Sequence, residues 1–229
     1  MLLSYALHGQ QNVFTQYTYW LRYQNQLIFS PRLSWNNEID NRRFFDPDVE
    51  NQLILHSRLH YKTGRWDFGG GLTYSLAFAQ RPEVGYKKSI AEIRPVAEAS
   101  HEVPIGKIFL QNRFRLDNRF IQSDPDQNVL EASTYVLRFR YRAQLRIPVK
   151  TNEESIPSIS VRLAEEIMFN NKGNTFDQNR IYVTGEFLLT KRLSLEAGYI
   201  YIYQQRFRTE DFFERHVLRF SLLHRIQCY

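Results

Sequence analysis

Arginine falls at every second position through two long stretches, and that period limits what the chain can become. The first stretch sets Arg113, Arg115, Asp117 and Arg119 on one parity against Phe114, Leu116 and Phe120 on the other. The second sets Arg138, Arg140, Arg142, Gln144 and Arg146 against Leu137, Phe139, Tyr141, Ala143, Leu145 and Ile147. A helix would scatter both sets around its axis, whereas a strand sends alternate side chains to opposite faces. Each stretch is therefore a strand with one charged and one apolar face. Asp124-Pro125-Asp126 lies between them and makes the pair a hairpin. Strands of about 15 residues exceed the usual 5–6 of globular sheets and suit a tilted crossing of a membrane.

The same alternation recurs along the chain. Val13 to Phe29 places Tyr17, Tyr19, Leu21 and Tyr23 against Gln16, Thr18, Arg22 and Gln24. Further strands are expected over 32–42, 52–62, 66–79, 90–103, 156–170, 176–189, 193–205 and 214–229, with short and longer connections in alternation. The glycines at 69–71 mark a bulge or close packing by a bulky neighbour. No linker or composition shift divides the 229 residues, so residues 11–229 form one domain. Met1 to Gln10, MLLSYALHGQ, reads as the remnant of a signal peptide or as a short first strand. About eleven strands can be counted. Bacterial single-chain barrels carry even numbers, so the expectation is an all-β, single antiparallel up-and-down transmembrane β-barrel of 12 strands, with 10 as the alternative.

Composition agrees with this reading. Aromatic residues make up 15% of the chain, which favours strands. A mean hydropathy of −0.48 leaves no apolar run near the roughly 18 residues of a transmembrane helix, but barrel strands are only half apolar and escape that test. The net charge of +6 would ordinarily raise nucleic acid as a partner. Here the basic residues are spread at strand spacing among acids, so no nucleic acid is expected. The one cysteine, Cys228, excludes an internal disulfide.

Alternation alone does not decide which face is inside. Strand length and aromatics near strand ends (Tyr17, Tyr19, Trp20, Trp66, Tyr199, Tyr201, Tyr203) favour a lipid-facing exterior with aromatic girdles. Acids share the arginine parity, as a confined lumen requires, because isolated charges there are costly. The expected lumen ladder is Glu92, Arg94, Glu98, Arg113, Arg115, Asp117, Arg119, Arg138, Arg140, Arg142, Arg146, Arg162, Glu166, Arg180, Glu186 and Glu196. Its two readings are a salt-bridged structural filling and an anion-selective path, since rings of arginine favour anions in narrow pores.

The arginine hairpin, Glu92-Ile-Arg94 before it, Phe176-Asp-Gln-Asn-Arg180 and Glu196-Ala-Gly-Tyr199 after it, and His216 in the last strand together resemble an uncharacterised family of bacterial outer-membrane β-barrels, the domain of unknown function 2490. The resemblance runs from about Val13 onward. It implies a place in the outer membrane of a diderm bacterium and carries over no catalytic residue. The expected partners are outer-membrane lipid and lipopolysaccharide, with other outer-membrane proteins as further candidates.

Other chemistry is poorly served. His56 and His60 share a strand face, but four residues along a strand span about 13 Å, too far for one metal ion without a third element. Asp211, Glu214, His216 and Ser221 are the nearest approach to an acid–base–nucleophile set, with spacing no different from that of a polar strand mouth. Asp46-Pro-Asp48 and Asp124-Pro-Asp126 read as turns rather than calcium loops. The expectation is a structural or accessory barrel, neither enzyme nor cofactor protein, with a narrow channel for small anionic solutes as the alternative.

Overall fold

A computed structural model describes residues 12–78, 81–82, 88–151, 156–205 and 211–229; the segment 1–10 lies outside them. The described residues form eleven strands: β1 (Val13–Ile28), β2 (Leu33–Phe44), β3 (Glu50–Thr63), β4 (Trp66–Ala77), β5 (Ile90–Ile105), β6 (Ile108–Gln122), β7 (Ser133–Thr151), β8 (Pro157–Asn170), β9 (Phe176–Leu188), β10 (Leu193–Gln205) and β11 (Phe212–Gln227). Each pairs with its neighbours in sequence, and β1 pairs with β11 to close the barrel.

This corrects the expected count of 12, and of 10, to eleven, and it corrects the fully antiparallel sheet. An odd number of strands joined up and down leaves the first and last running the same way, so closure must be parallel. The β1–β11 seam is a parallel pair in unbroken register, from Val13 opposite Phe212 to Ile28 opposite Gln227. All other pairs are antiparallel.

The register also sets the barrel's girth. Following hydrogen-bonded partners from Ile28 through Ser34, His60, Gly69, Glu98, Arg115, Arg140, Met168, Gln178, Gln204 and Phe213 leads back to β1 at Phe14, a stagger of 14 residues. For eleven strands that stagger corresponds to a tilt of roughly 45°, in the usual range for barrels, and an interior that long side chains can fill.

The two ends differ. At one, the connections are the tight turns 29–32, 64–65 and 106–107, with 152–156 and 189–192; at the other they are generally longer, as in 78–89 and 123–132. Gly64 and Gly106 open two-residue turns with φ of 57° and 60°, a conformation that L side chains rarely adopt. In the 123–132 connection the Asp126 amide donates to Asp124 Oδ1 at 2.9 Å, the side-chain turn expected of Asp-Pro-Asp.

The exterior is apolar. Leu21, Ile39, Leu59, Leu72, Phe114, Leu116, Phe139, Ile181, Tyr199, Leu218 and Phe220 all point out, joined towards the ends by Tyr17, Trp35, Tyr61, Trp66 and Tyr135. Polar groups on this face are matched: Trp35 Nε1 donates to Ser57 Oγ at 2.8 Å, and the Tyr135 and Tyr141 hydroxyls donate to Asn118 and Asn112. Trp20 corrects the expected girdle. It is 4% exposed and points inward, because it shares the parity of Arg22 and not that of Tyr19 and Tyr23. Among the described residues no helix is long and apolar enough to cross a membrane, which says nothing of the strands.

Candidate functional site: the arginine-lined lumen

The inward faces of the strands build a charged interior in which most guanidinium groups have a carboxylate partner. In the middle of the barrel Glu166 accepts from Arg113 at 2.6 Å, from Arg140 at 2.9 Å and from the Tyr182 hydroxyl at 2.9 Å. Asp117 takes Arg115 at 2.6 Å and Arg140 at 3.5 Å. Glu92 is gripped by Arg94 and Arg119, Asp40 by Arg42 and Arg22, and Glu38 by Arg58 and Arg22. Towards the tight-turn end Arg162 bridges Glu186 and Glu196, while Arg225 and Arg219 complete those pairs at 3.4 and 3.7 Å. Arg146 reaches Glu102 at 3.5 Å nearer that rim.

Several ion pairs cross a whole strand, and one of them passes over bare backbone. Arg58 on β3 lies 3.8 Å from Glu98 on β5, passing over β4, where Gly69 and Gly71 face the lumen. A Cβ at Gly69 would sit 2.8 Å from the His60 ring and 3.0 Å from Glu98 Cγ. A Cβ at Gly71 would meet the Ser57 carbonyl oxygen at 2.0 Å. The glycine run is thus a close approach of bulky neighbours to a bare backbone, not a bulge.

The sixteen ladder residues of the sequence reading all lie on strands β5–β10, none of them in the exposed class. Pairing among them is uneven. Arg142 donates to Gln111 and Arg180 to Gln178, and among the described residues neither has a carboxylate partner. Several lumen residues lay outside that ladder: Arg22, Glu38, Asp40, Arg42, Arg58, Arg215 and Arg219 follow the same alternation on β1, β2, β3 and β11, which was the signal available for them. Asp177 had none. A register shift between Met168 and Phe169 turns it inward beside Gln178, and it pairs with Arg138 at 2.7 Å.

The two histidines are engaged separately. His56 Nδ1 lies 2.6 Å from Thr73 Oγ1, whereas His60 stands between Asp67 at 2.8 Å and Glu98 at 3.4 Å. Of the four residues weighed as an acid–base set, Glu214 and His216 lie 3.8 Å apart, but Ser221 is on the opposite face of the strand from His216. His216 faces outward among Tyr17, Tyr199 and Tyr201, and Ser221 is buried on the inward face. The Asp48 carboxylate is held by Arg43 at 2.7 Å and by the Tyr19 hydroxyl at 2.8 Å, so a cation would have to displace a guanidinium there.

A cavity of about 390 Å³ occupies the half of the barrel nearer the long connections. Its rim is set by Gln52, Ala77, Ile90, Ile121, Gln204 and Phe213, where strands meet those connections. Thirteen arginines and four carboxylates line it, and Asp40, Glu98, Asp117 and Glu196 pair with six of those arginines, which still leaves arginine in excess. Arg162, Glu186 and Glu196 do not border it. The lumen therefore has two parts: an arginine-walled chamber on one side and a charge-matched filling on the other.

Comparison with known proteins leaves the fold as the main resource. No curated protein matches the chain. Among solved structures, OmpTdeltaL8, a loop L8 deletion mutant of OmpT, an outer membrane protein of Vibrio cholerae, is similar at 12% identity and a TM-score of 0.40. The likeness covers 74% of this chain and 56% of that one, so this chain spans little more than half of that protein's length. The sequence profile of the family described as "protein of unknown function (DUF2490)" matches residues 17–213. That span runs from β1 into β11, and the chain belongs to the DUF2490 family.

Proposed function

We propose that this protein is an outer-membrane β-barrel with a structural or accessory role, its lumen closed by ion pairs rather than open from end to end. An apolar exterior with aromatics towards both rims suits contact with lipid and lipopolysaccharide. The observation that carries the closed reading is the filling around Arg162, Glu186 and Glu196, where each charge has a partner and the chamber does not reach. Such a barrel offers its outer wall and long connections to other envelope proteins, as a subunit of a larger assembly would.

A second reading, a narrow channel for small anionic solutes, is favoured by one observation: the excess of arginine over carboxylate around the chamber. Planar-bilayer recording of the purified protein separates the two. The closed reading expects no unitary openings at physiological salt. Steady, anion-selective openings would overturn it in favour of the channel.

A further inference from the structure

Two guanidinium groups flank one indole ring in the chamber, and a third stands on the neighbouring strand. Arg42 lies with its Cζ 3.7 Å from the centre of the Trp20 ring, and Arg180 lies 5.6 Å from the same ring. Arg215 on β11 is level with Arg180 across the intervening Ile202 of β10, its Cζ 4.7 Å from the centre of the Phe213 ring, and it faces Arg180, Arg42 and Asp177. What orients two of these groups is amide, not carboxylate. Arg180 donates twice to Gln178 Oε1, at 2.8 and 2.6 Å; Arg215 donates to Gln16 Oε1 at 2.6 Å and to Gln204 Oε1. An amide oxygen fixes the direction of a guanidinium and leaves its charge intact.

The nearby acids are committed elsewhere. Asp40 serves Arg42 at 2.9 Å and Arg22 at 3.6 Å, Asp177 serves Arg138 at 2.7 Å, and Glu92 serves Arg94 and Arg119. Among the described residues neither Arg180 nor Arg215 has a carboxylate partner, although elsewhere in the lumen the chain supplies them readily. Like charges held together away from bulk water repel one another, and a mobile counter-ion or a bound anion relieves that repulsion. Guanidinium forks are well matched to phosphate oxygens, which they can engage two at a time.

We propose that Arg42, Arg180 and Arg215, braced by Trp20, form a binding site for a small soluble compound bearing phosphate groups, admitted from the long-connection end. The cavity volume of about 390 Å³ lies at the lower end of small-molecule pockets and exceeds the needs of a single halide. A phospholipid is a poor fit, because its headgroup would have to enter the lumen while its acyl chains stayed outside a closed wall. The inference goes beyond the closed-barrel reading and does not need a through-path.

The test is isothermal titration of the whole purified chain in phosphate-free detergent buffer, with pyrophosphate as probe. A short-chain phosphatidic acid serves as the lipid arm. Pyrophosphate is expected to bind one to one, and affinity to fall on the order of tenfold or more in Arg180→Gln and in Arg215→Gln. It is expected to stay near wild type in Arg162→Gln, at the opposite end. Arg215→Lys, which keeps the charge, is expected to retain part of the binding and guards against a folding defect. Thermal unfolding of each variant without ligand confirms that the barrel has formed. No binding of pyrophosphate by the wild-type protein, equal binding by Arg215→Gln, or binding of the lipid alone would overturn the proposal.

Discussion

Glu166 shows what one side chain does in this lumen. It is buried at 1% exposure and holds Arg113, Arg140 and Tyr182 together across β6–β9. Taking its charge away leaves two arginines with reduced compensation in a confined space. Removing one partner of a buried pair typically costs about 3–5 kcal/mol, less where water enters. Glu166→Gln is therefore expected to lower stability by about 3 kcal/mol in urea unfolding from micelles. A loss below about 0.5 kcal/mol, the range of ordinary surface substitutions, would show the network to be well hydrated.

Asp48, in a connection outside the strands, gives the residue scale a pH signature. Hydrogen bonds from Arg43, and then from Tyr19, hold its carboxyl below the usual carboxylate range. A lowered folded-state pKa means that the contact is fully present above the ordinary Asp range and is lost as pH falls through the lowered value. Carbon-detected NMR is expected to show Asp48 titrating below the ordinary carboxylate range, and Arg43→Gln to raise it part of the way back, the Tyr19 hydrogen bond remaining. An unshifted titration in the wild type would show that the contact does not persist in solution.

At the scale of elements, β4 depends on having no side chains at 69 and 71. Gly71→Ala would drive a methyl into the Ser57 carbonyl, backbone that cannot rotate away. Overpacking of this kind costs about 1–3 kcal/mol, and here it forces β3 and β4 apart. The expected result is loss of the heat-modifiable band on cold SDS gels, or a clearly lower melting temperature. Gly64→Ala, in open space but at positive φ, is expected to cost less. Alternation made nearly every strand legible, because the barrel wall enforces a period of two on both faces. The arginine hairpin is the clearest case, with β6 and β7 lying where the charges predicted. What alternation did not reveal were features set by neighbours in space. Trp20 has the residue type of a girdle but the parity of the lumen, and Asp177 turns inward only because β8 and β9 slip in register.

For the whole molecule, strand count shows why a rule drawn from even-numbered barrels misled. Nothing in eleven alternating segments forbids closure, provided the seam is parallel, and β1 and β11 supply sixteen consecutive partners for it. Closure places every charged face on one side of a single wall. The chamber, the filling and the apolar outer surface all follow from that one sorting.

The sorting itself is open to direct measurement. With Cys228 replaced by serine, single cysteines at 137–142 along β7 can carry a nitroxide label in lipid vesicles, and collision with oxygen or with a water-soluble nickel chelate reports the surroundings of each. Labels at Leu137, Phe139 and Tyr141 are expected to meet oxygen and not nickel, while those at Arg138, Arg140 and Arg142 lose oxygen contact, with period two. The opposite phase, or no periodicity along β7, would contradict a barrel that keeps its arginines inside.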